Sequence, residues 1–555
     1  MNRYSGTATG ILITTLVIAG GFYTWFSCAA AVILMILILI GIYKEKKLVI
    51  IKNPFGIAVA VVGFFYLLVC LWSVDRGMAL FGFFKFLPFP LYLIYLEQKE
   101  IDREKILQTL PAIGTILTVL TYVMSRFEVF DLVQVEGRLG GTFLYPNTLA
   151  IFLLVCLLIA LGNVGKKDYF ELLYAAILLF GIYVTGSRTV YVITGLALIA
   201  TVILSDLGRV RKILICLAGA VAVGVAAVVL GGRLGEISLN SSTFLGRLLY
   251  YKDGLGILLK HPFGLGYHGY YFVEKQYQTG VYNVLNIHND VLQLILDIGI
   301  LPAVFFFGVF IYYIVRAFRQ KQKRNGVILT ALLLHILFDY DMQFLAILFI
   351  LILLVDDRRG VSKEKISTLS LGFFTIVMAA CAVGAFFLGT SDYLYTVHEY
   401  EASESMYGGN TMAKAYWMME IKDSAELRKV AEDVVAGSPE LYIGYVYLGN
   451  SYIEEGNIPE YMKYLQIALE KAPYEYQSYV DYATVLIYSA QNYLAAGNKE
   501  SAGICVNELD RITGVLNDLK ESSDTLAWKI ADTPQTELSA DYRNLIAGLK
   551  EQLHE

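Results

Sequence analysis

Asn286-Ile287-His288-Asn289-Asp290 closes a polar interruption of roughly sixty residues that opens near Gly232 and separates apolar runs at 213–231 and 291–315, both of membrane-crossing length. Lipid cannot satisfy irregular backbone, so a loop of this length lies in water or on a membrane surface. Outward from it, further apolar segments fall at 8–26, 28–43, 55–73, 78–96, 106–125, 147–163, 169–185, 189–205, 326–339, 342–355 and 368–389. That makes about thirteen spans on a hydropathy window of membrane length. The last two before 368 are short for a full crossing, which makes Asp339-Tyr340-Asp341 the tip of a helical hairpin. The first segment is too long for a signal peptide and lacks a small-residue cleavage site, so it reads as a retained anchor.

Composition agrees. With 57% hydrophobic and 17% charged residues over 555 positions and a mean hydropathy of +0.57, the chain lies outside the range of ordinary soluble proteins. The expected fold class is all-α: a polytopic helical membrane protein of about 12–13 transmembrane helices, spanning 1–389, followed by a helical soluble domain at 390–555. The net charge of −5 is small, and much of the acidic excess lies after residue 390, so no nucleic-acid footprint is present. Cys28, Cys70, Cys156, Cys216 and Cys381 sit in apolar runs at unrelated spacings, and Cys505 stands alone in the tail. They build neither a disulfide framework nor a zinc site.

Lys and Arg are retained on the cytoplasmic side of a membrane. Alternating the spans puts Lys44-Glu45-Lys46-Lys47, Arg103-Glu104-Lys105, Lys166-Lys167, Arg209-Val210-Arg211-Lys212, Arg319 to Arg324 and Arg358-Arg359 on one side. The N-terminus is therefore expected in the cytoplasm. The loops at 126–146, 186–188 and 232–290, and the tail after 390, then face outward together.

In the tail, Tyr445, Leu448-Gly449, Tyr452, Gly456, Leu465, Ala468 and Pro473 fall at the offsets of a tetratricopeptide helix-turn-helix, within the Pro439–Pro473 period. Gly456-Asn457 and Gly497-Asn498 mark turns of successive hairpins. A tetratricopeptide-like array is expected, and such arrays dock partners rather than catalyse; an unrelated helical bundle fits the same residues.

Four groups of residues carry chemistry on the outward face. Gly137-Arg138-Leu139-Gly140-Gly141-Thr142-Phe143 followed by Tyr145-Pro146-Asn147 is a Gly-rich entry to a helix, able to offer backbone N–H groups to an anion; a plain loop-to-helix entry explains the glycines as well. Thr185-Gly186-Ser187-Arg188-Thr189 leaves almost no loop between two spans and sets Arg188 at the membrane boundary, where a charge lines an aqueous cavity, holds a partner or snorkels. Arg247 precedes Leu248, Leu249, Leu255 and Leu258 at helical spacing, as in a helix lying along the interface, and Tyr267 and other tyrosines of this loop offer surfaces for membrane headgroups or sugar faces. Histidine as a residue type titrates near neutrality, which suits His288 to take a proton from a hydroxyl, although a histidine before a helix also serves as a cap. His261 and His268 compete for that role, and no arrangement of the three histidines has metal-ligand spacing.

Taken in order, Gly-Arg-x-x-Gly-Thr-Phe-x-x-Pro-Asn (137–147), Gly-Ser-Arg-Thr (186–189), Arg247, Pro262-x-Gly-x-Gly-Tyr (262–267), His288-Asn289-Asp290 and Asp297-Ile298-Gly299-Ile300 resemble the O-antigen ligase and O-antigen polymerase superfamily over roughly residues 50–360. His335 and Asp339 resemble a His-x-x-x-Asp element of polymerase-like and protein-glycosylating members. The resemblance implies glycosyl transfer at the outer face of the bacterial cytoplasmic membrane from an undecaprenyl-pyrophosphate-linked glycan donor to a glycan, lipid or protein acceptor. It implies catalytic roles for His288, Arg188 and Arg247, and substrate-binding roles for Arg138, Asn147, Tyr267, His268, Asn289, His335 and Asp339. Lys85 is a further cationic candidate. No metal and no cofactor is expected; membrane lipids and a protein docked on the 390–555 tail are expected partners. The tail suits a polymerase, or an enzyme glycosylating protein, better than a lipopolysaccharide ligase. A carrier for lipid-linked sugars would instead need charges deep inside helices and internal repeats, and a scaffold would leave Arg188, Arg247 and His288 idle.

Overall fold

The computed structural model describes residues 3–164, 170–213 and 240–554. The span expected at 213–231, Lys166-Lys167 and the first residues of the long loop lie essentially outside them. Helices α1 (Arg3–Val17), α2 (Thr24–Glu45), α3 (Pro54–Leu68), α4 (Arg76–Phe86), α5 (Pro88–Gln98), α6 (Arg103–Leu107), α7 (Leu110–Met124), α8 (Pro146–Asn163), α9 (Phe170–Thr185) and α10 (Arg188–Leu204) form the first part of the bundle. The long loop holds α11 (Ser242–Lys260) and α12 (Gly269–Tyr277). It is followed by α13 (Asp290–Ile298), α14 (Ile300–Arg319), α15 (Lys323–Ile336), α16 (Leu345–Leu354) and α17 (Thr368–Thr396).

The chain is an all-α polytopic membrane protein. Among the described residues, seven helical stretches are long and apolar enough to cross a membrane, and four apolar helices are shorter. Two of the apolar runs build helices shorter than a full crossing, each for a physical reason. The first run breaks at Ala19–Gly21, earlier than its hydropathy suggests, because Gly20 (φ 61°) and Gly21 (φ 74°) take left-handed conformations. A Cβ on Gly20 would stand 2.5 Å from the Phe143 ring, and one on Gly21 would stand 2.7 Å from Leu345. In the hairpin, α16 spans only ten residues, about 15 Å against a hydrocarbon core of about 30 Å. All ten of its residues are buried by protein, so its hydrophobicity serves the core rather than lipid.

One end of the bundle is tied by an antiparallel pair that the hydropathy pattern does not announce. Strand β1 (Lys47–Ile51) pairs with Val361–Lys365, Lys47 opposite Lys365 and Ile51 opposite Val361. This sets the basic segments 44–47 and 358–359 at the same end, as their charge requires. Nearby, Arg103 is buried with Glu97 and donates to the carbonyls of Ile352 and Val355.

The opposite end gathers the polar loops and the tail. Helices α18 (Tyr400–Met406), α19 (Thr411–Trp417), α20 (Ser424–Gly437), α21 (Tyr442–Asn450), α22 (Ile458–Lys471), α23 (Tyr476–Ala495), α24 (Lys499–Ser522) and α25 (Ala540–His554) build it. Gly456 (φ 67°) turns α21 into α22, and Gly497 (φ 74°) turns α23 into α24. Gly449 lies so close to Leu465 that a Cβ would stand 2.3 Å from its methyl, which holds the first hairpin tight. Asp75, at the start of α4, accepts from the hydroxyls of Thr411 and Ser438 and so anchors the tail to the bundle.

Candidate active site

Three chain segments far apart in sequence converge on the turn after α15. That helix ends at Ile336, and residues 337–344 fold back before α16, which buries the side chain of Asp339 to 1% exposure. Pro146 starts α8 with a fixed φ suited to a first helical turn. The residues flanking it both reach Asp339: Tyr145 OH donates to Oδ1 at 2.7 Å and Asn147 Nδ2 to Oδ2 at 2.7 Å. From α11, Arg247 donates to the carbonyl of Phe338 and pairs with Asp339 Oδ2 at 3.6 Å. His288 Nδ1 lies 3.3 Å from Asp339 Oδ1.

The backbone around His288 is held from several sides. His288 itself has φ 52°, its carbonyl accepts from Tyr251 OH at 2.5 Å, and Asn289 caps α13 by accepting from Leu292 N at 3.0 Å. Asp290 N donates to the carbonyl of Asp339 at 3.2 Å, and its carboxylate takes Met342 N at 2.8 Å. The His288 ring also packs against Tyr340 at 4.9 Å, and Tyr340 stacks on Tyr145 at 4.7 Å. Burial opposes ionisation of Asp339, but the His288 hydrogen bond and the charge of Arg247 outweigh it and hold the carboxyl far below the usual carboxylate range. An ionised Asp339 fixes which nitrogen of His288 faces it and leaves Nε2 for chemistry.

Arg138, on the short strand Arg138–Leu139, extends the cluster. Its Nε donates to Thr185 O at 2.9 Å, three residues before Arg188, and its NH2 donates to Asn147 Oδ1 at 2.5 Å. The 126–146 loop is thereby bound to the turn that starts α10 with Arg188. His288, Arg247, Asn147, Arg138 and Asp339 form one continuous network, with Arg188 at the edge of its Thr185 side.

The other sequence candidates sit elsewhere. His335 pairs through Nδ1 with Asp341, not Asp339, because the helix ends one residue after it and the i+4 position no longer lies over its ring. Thr148 completes that inner pair by donating to Asp341 at 2.7 Å. Tyr267 and His268 contact each other at 4.2 Å, and Tyr267 packs on Gly82, where a Cβ would approach its own to 2.5 Å. Burial and the nearby Lys85 charge push His268 down to about 3, which leaves it neutral. Lys85 is buried, donates to the carbonyl of Phe22 and lies 4.9 Å from that ring's centre. Asn289 spends its side-chain oxygen on the α13 cap. Sequence reasoning leaves Tyr145, Tyr340 and Asp341 without roles, and Tyr145-Pro146-Asn147, a helix start with polar groups on both sides of the proline, is the available signal.

Two motifs that carried the resemblance are architectural. Gly264 (φ 91°) and Gly299 (φ 94°) bring two backbones together. A Cβ on Gly264 would stand 2.7 Å from Asp297 O, and one on Gly299 would stand 2.9 Å from Phe263 O. Leu265 N and Gly266 N donate to the carbonyls of Leu296 and Asp297 across this junction. The Asp297 carboxylate is used by Tyr66 at 2.9 Å and Gln293 at 2.8 Å.

Residues 173–307 match the protein-family model described as O-antigen ligase. No curated protein matches the chain. The matched segment includes Arg188, Arg247 and His288, whereas Arg138, Tyr145, Asn147 and Asp339 lie outside it. The match supports a membrane enzyme of glycosyl transfer in surface-polysaccharide synthesis.

Proposed function

With O-antigen ligase sequence at residues 173–307 as the premise, we propose that the protein transfers a glycan from undecaprenyl pyrophosphate at the outer face of the bacterial cytoplasmic membrane, polymerising or ligating surface polysaccharide. The observation that carries this reading is the convergence of Arg247 and His288 on buried Asp339. An acceptor hydroxyl attacks the anomeric carbon while the bond from that carbon to the pyrophosphate oxygen breaks. The electron pair leaves on undecaprenyl pyrophosphate, and the hydroxyl proton passes to His288 Nε2. Arg188 and Arg247, with Arg138 behind them, meet the charge that grows on the leaving group through planar guanidinium forks. The reading therefore assigns charge stabilisation to arginines rather than to a metal.

The tail reads as a tetratricopeptide-like array on the outer face, with the N-terminus in the cytoplasm. An acceptor on a protein is the second reading, favoured by helical hairpins in which Gly449 and Gly456 serve as such repeats require. Arg188→Ala, Arg247→Ala and His288→Ala should each abolish extension or transfer of lipid-linked glycan in cells while membrane abundance stays unchanged. Normal product from all three would remove the site assignment.

A further inference from the structure

The turn between α24 and α25 is built into the loop that carries Arg247. Asp524 N donates to Thr279 O at 2.8 Å, and the Asp524 carboxylate pairs with Lys252 of α11. Three residues on, Ala527 is fully buried among Leu249, Tyr250 and Ile257 of α11 and Tyr270, Val273 and Ile287 beyond it. It sits so close to Gly280 that a Cβ there would approach its own to 2.5 Å. Ala531 N then donates to Ser242 Oγ at 2.7 Å, in the first turn of α11. The segment 524–531 thus runs along α11 from residue 252 back to residue 242.

Thr279 joins the two sides. Its N and Oγ1 both donate to the buried Asp253 carboxylate of α11, at 3.0 and 2.8 Å, while its carbonyl takes the tail. A helix advances about 100° per residue, so Ser242, Leu249 and Asp253 share one stripe of α11 and Arg247 stands roughly 140° around it. The tail therefore presses the back of α11, while the front presents Arg247 to Asp339 and Tyr251 to the carbonyl of His288. Without the tail, the apolar cluster around Leu249 and Ile257 would lose the side that Ala527 covers, while Tyr270, Val273 and Ile287 would still pack on it.

We propose that residues 524–531 are a strap that positions Arg247 and the His288 carbonyl through α11, so that the tail is part of the transferase and not only a docking surface for partners. The proposal rests on the transferase reading above. Asp524, Ala527 and Lys252 are positioning residues; none touches substrate.

The test uses full-length protein in detergent with lipid-pyrophosphate-linked oligosaccharide as donor and no added partner. Ala527→Asp and Asp524→Lys are expected to lower kcat at least tenfold with little change in KM, and the double variant Lys252→Asp/Asp524→Lys should recover most of the rate. Glu500→Lys, on the exposed start of α24, should be as active as wild type. Full activity in Ala527→Asp and Asp524→Lys, with Arg247→Ala and His288→Ala inactive, overturns the strap and leaves the transferase reading standing. Full activity in all four removes both. A loss in Asp524→Lys that the double variant does not recover overturns the pairing across α11.

Discussion

Helix α13 separates two regions that its flanking motifs make look alike. At its N-terminal end, His288 and Asp290 meet Asp339, with Arg247 completing a knot of buried charge. At its C-terminal end, Gly264 and Gly299 let two backbones touch, and the carboxylate of Asp297 is consumed by Tyr66 and Gln293. The helix between them is nine residues long, which sets its ends about 12 Å apart along the axis. One end holds groups with an unspent proton site and cationic donors, and the other spends every polar group on structure. A motif of Gly and Asp in this chain is therefore chemistry only where the carboxylate keeps a titratable or cationic partner.

Substitutions should divide the two ends by the kind of damage done. The largest effect belongs to the charged end: Arg247→Ala should lower transfer about 10²- to 10³-fold, and Asp339→Asn should come close to it by releasing His288 Nδ1. Both are read as product formed per unit of protein in the membrane. Gly299→Ala should act oppositely, since left-handed strain of about 1–3 kcal/mol adds to the clash with Phe263. It is expected to lower thermal stability and yield in detergent, while the protein that does fold keeps wild-type kcat. A Gly299→Ala protein of normal stability and lost activity would erase the distinction.

The residues themselves explain what could be read in advance. Apolar runs of eighteen or more residues reveal spans because length and composition suffice in lipid, as at α2 and α8. The short hairpin that holds α16 is legible from run length, whereas the break at Gly20-Gly21 is missed because backbone chirality leaves no mark on hydropathy. Arg247 and His288 stand out from their position in a polar loop. Their shared partner does not, since Tyr145 lies 194 residues and His288 lies 51 residues from Asp339. The pairing of His335 with Asp341 instead of Asp339 follows from where a helix stops, and one-residue boundaries are the weakest part of sequence reading.

Two smaller effects sharpen the comparison. Tyr145→Phe removes one hydrogen bond to Asp339, a loss of about 1 kcal/mol, and should slow transfer roughly fivefold without changing expression. In α12, burial raises the Glu274 carboxyl from 4.5 to about 8. Its folded value lies above its unfolded one, so the stability that it contributes is complete below pH 4.5 and is lost as pH rises through 8. Thermal stability should therefore fall between about pH 4.5 and 8 and level off above it, and Glu274→Gln should flatten that fall.

The central claim is that Asp339 assembles His288 and Arg247 into a centre that cleaves lipid-linked glycan. It is tested most directly by the release of undecaprenyl pyrophosphate from lipid-pyrophosphate-linked oligosaccharide by purified protein in detergent, where no compartment exists for a carrier to cross. The wild-type protein should release it only when acceptor is present, and His288→Ala and Asp339→Asn should release almost none. Absence of release from the wild type, or equal release from all three, would contradict the account.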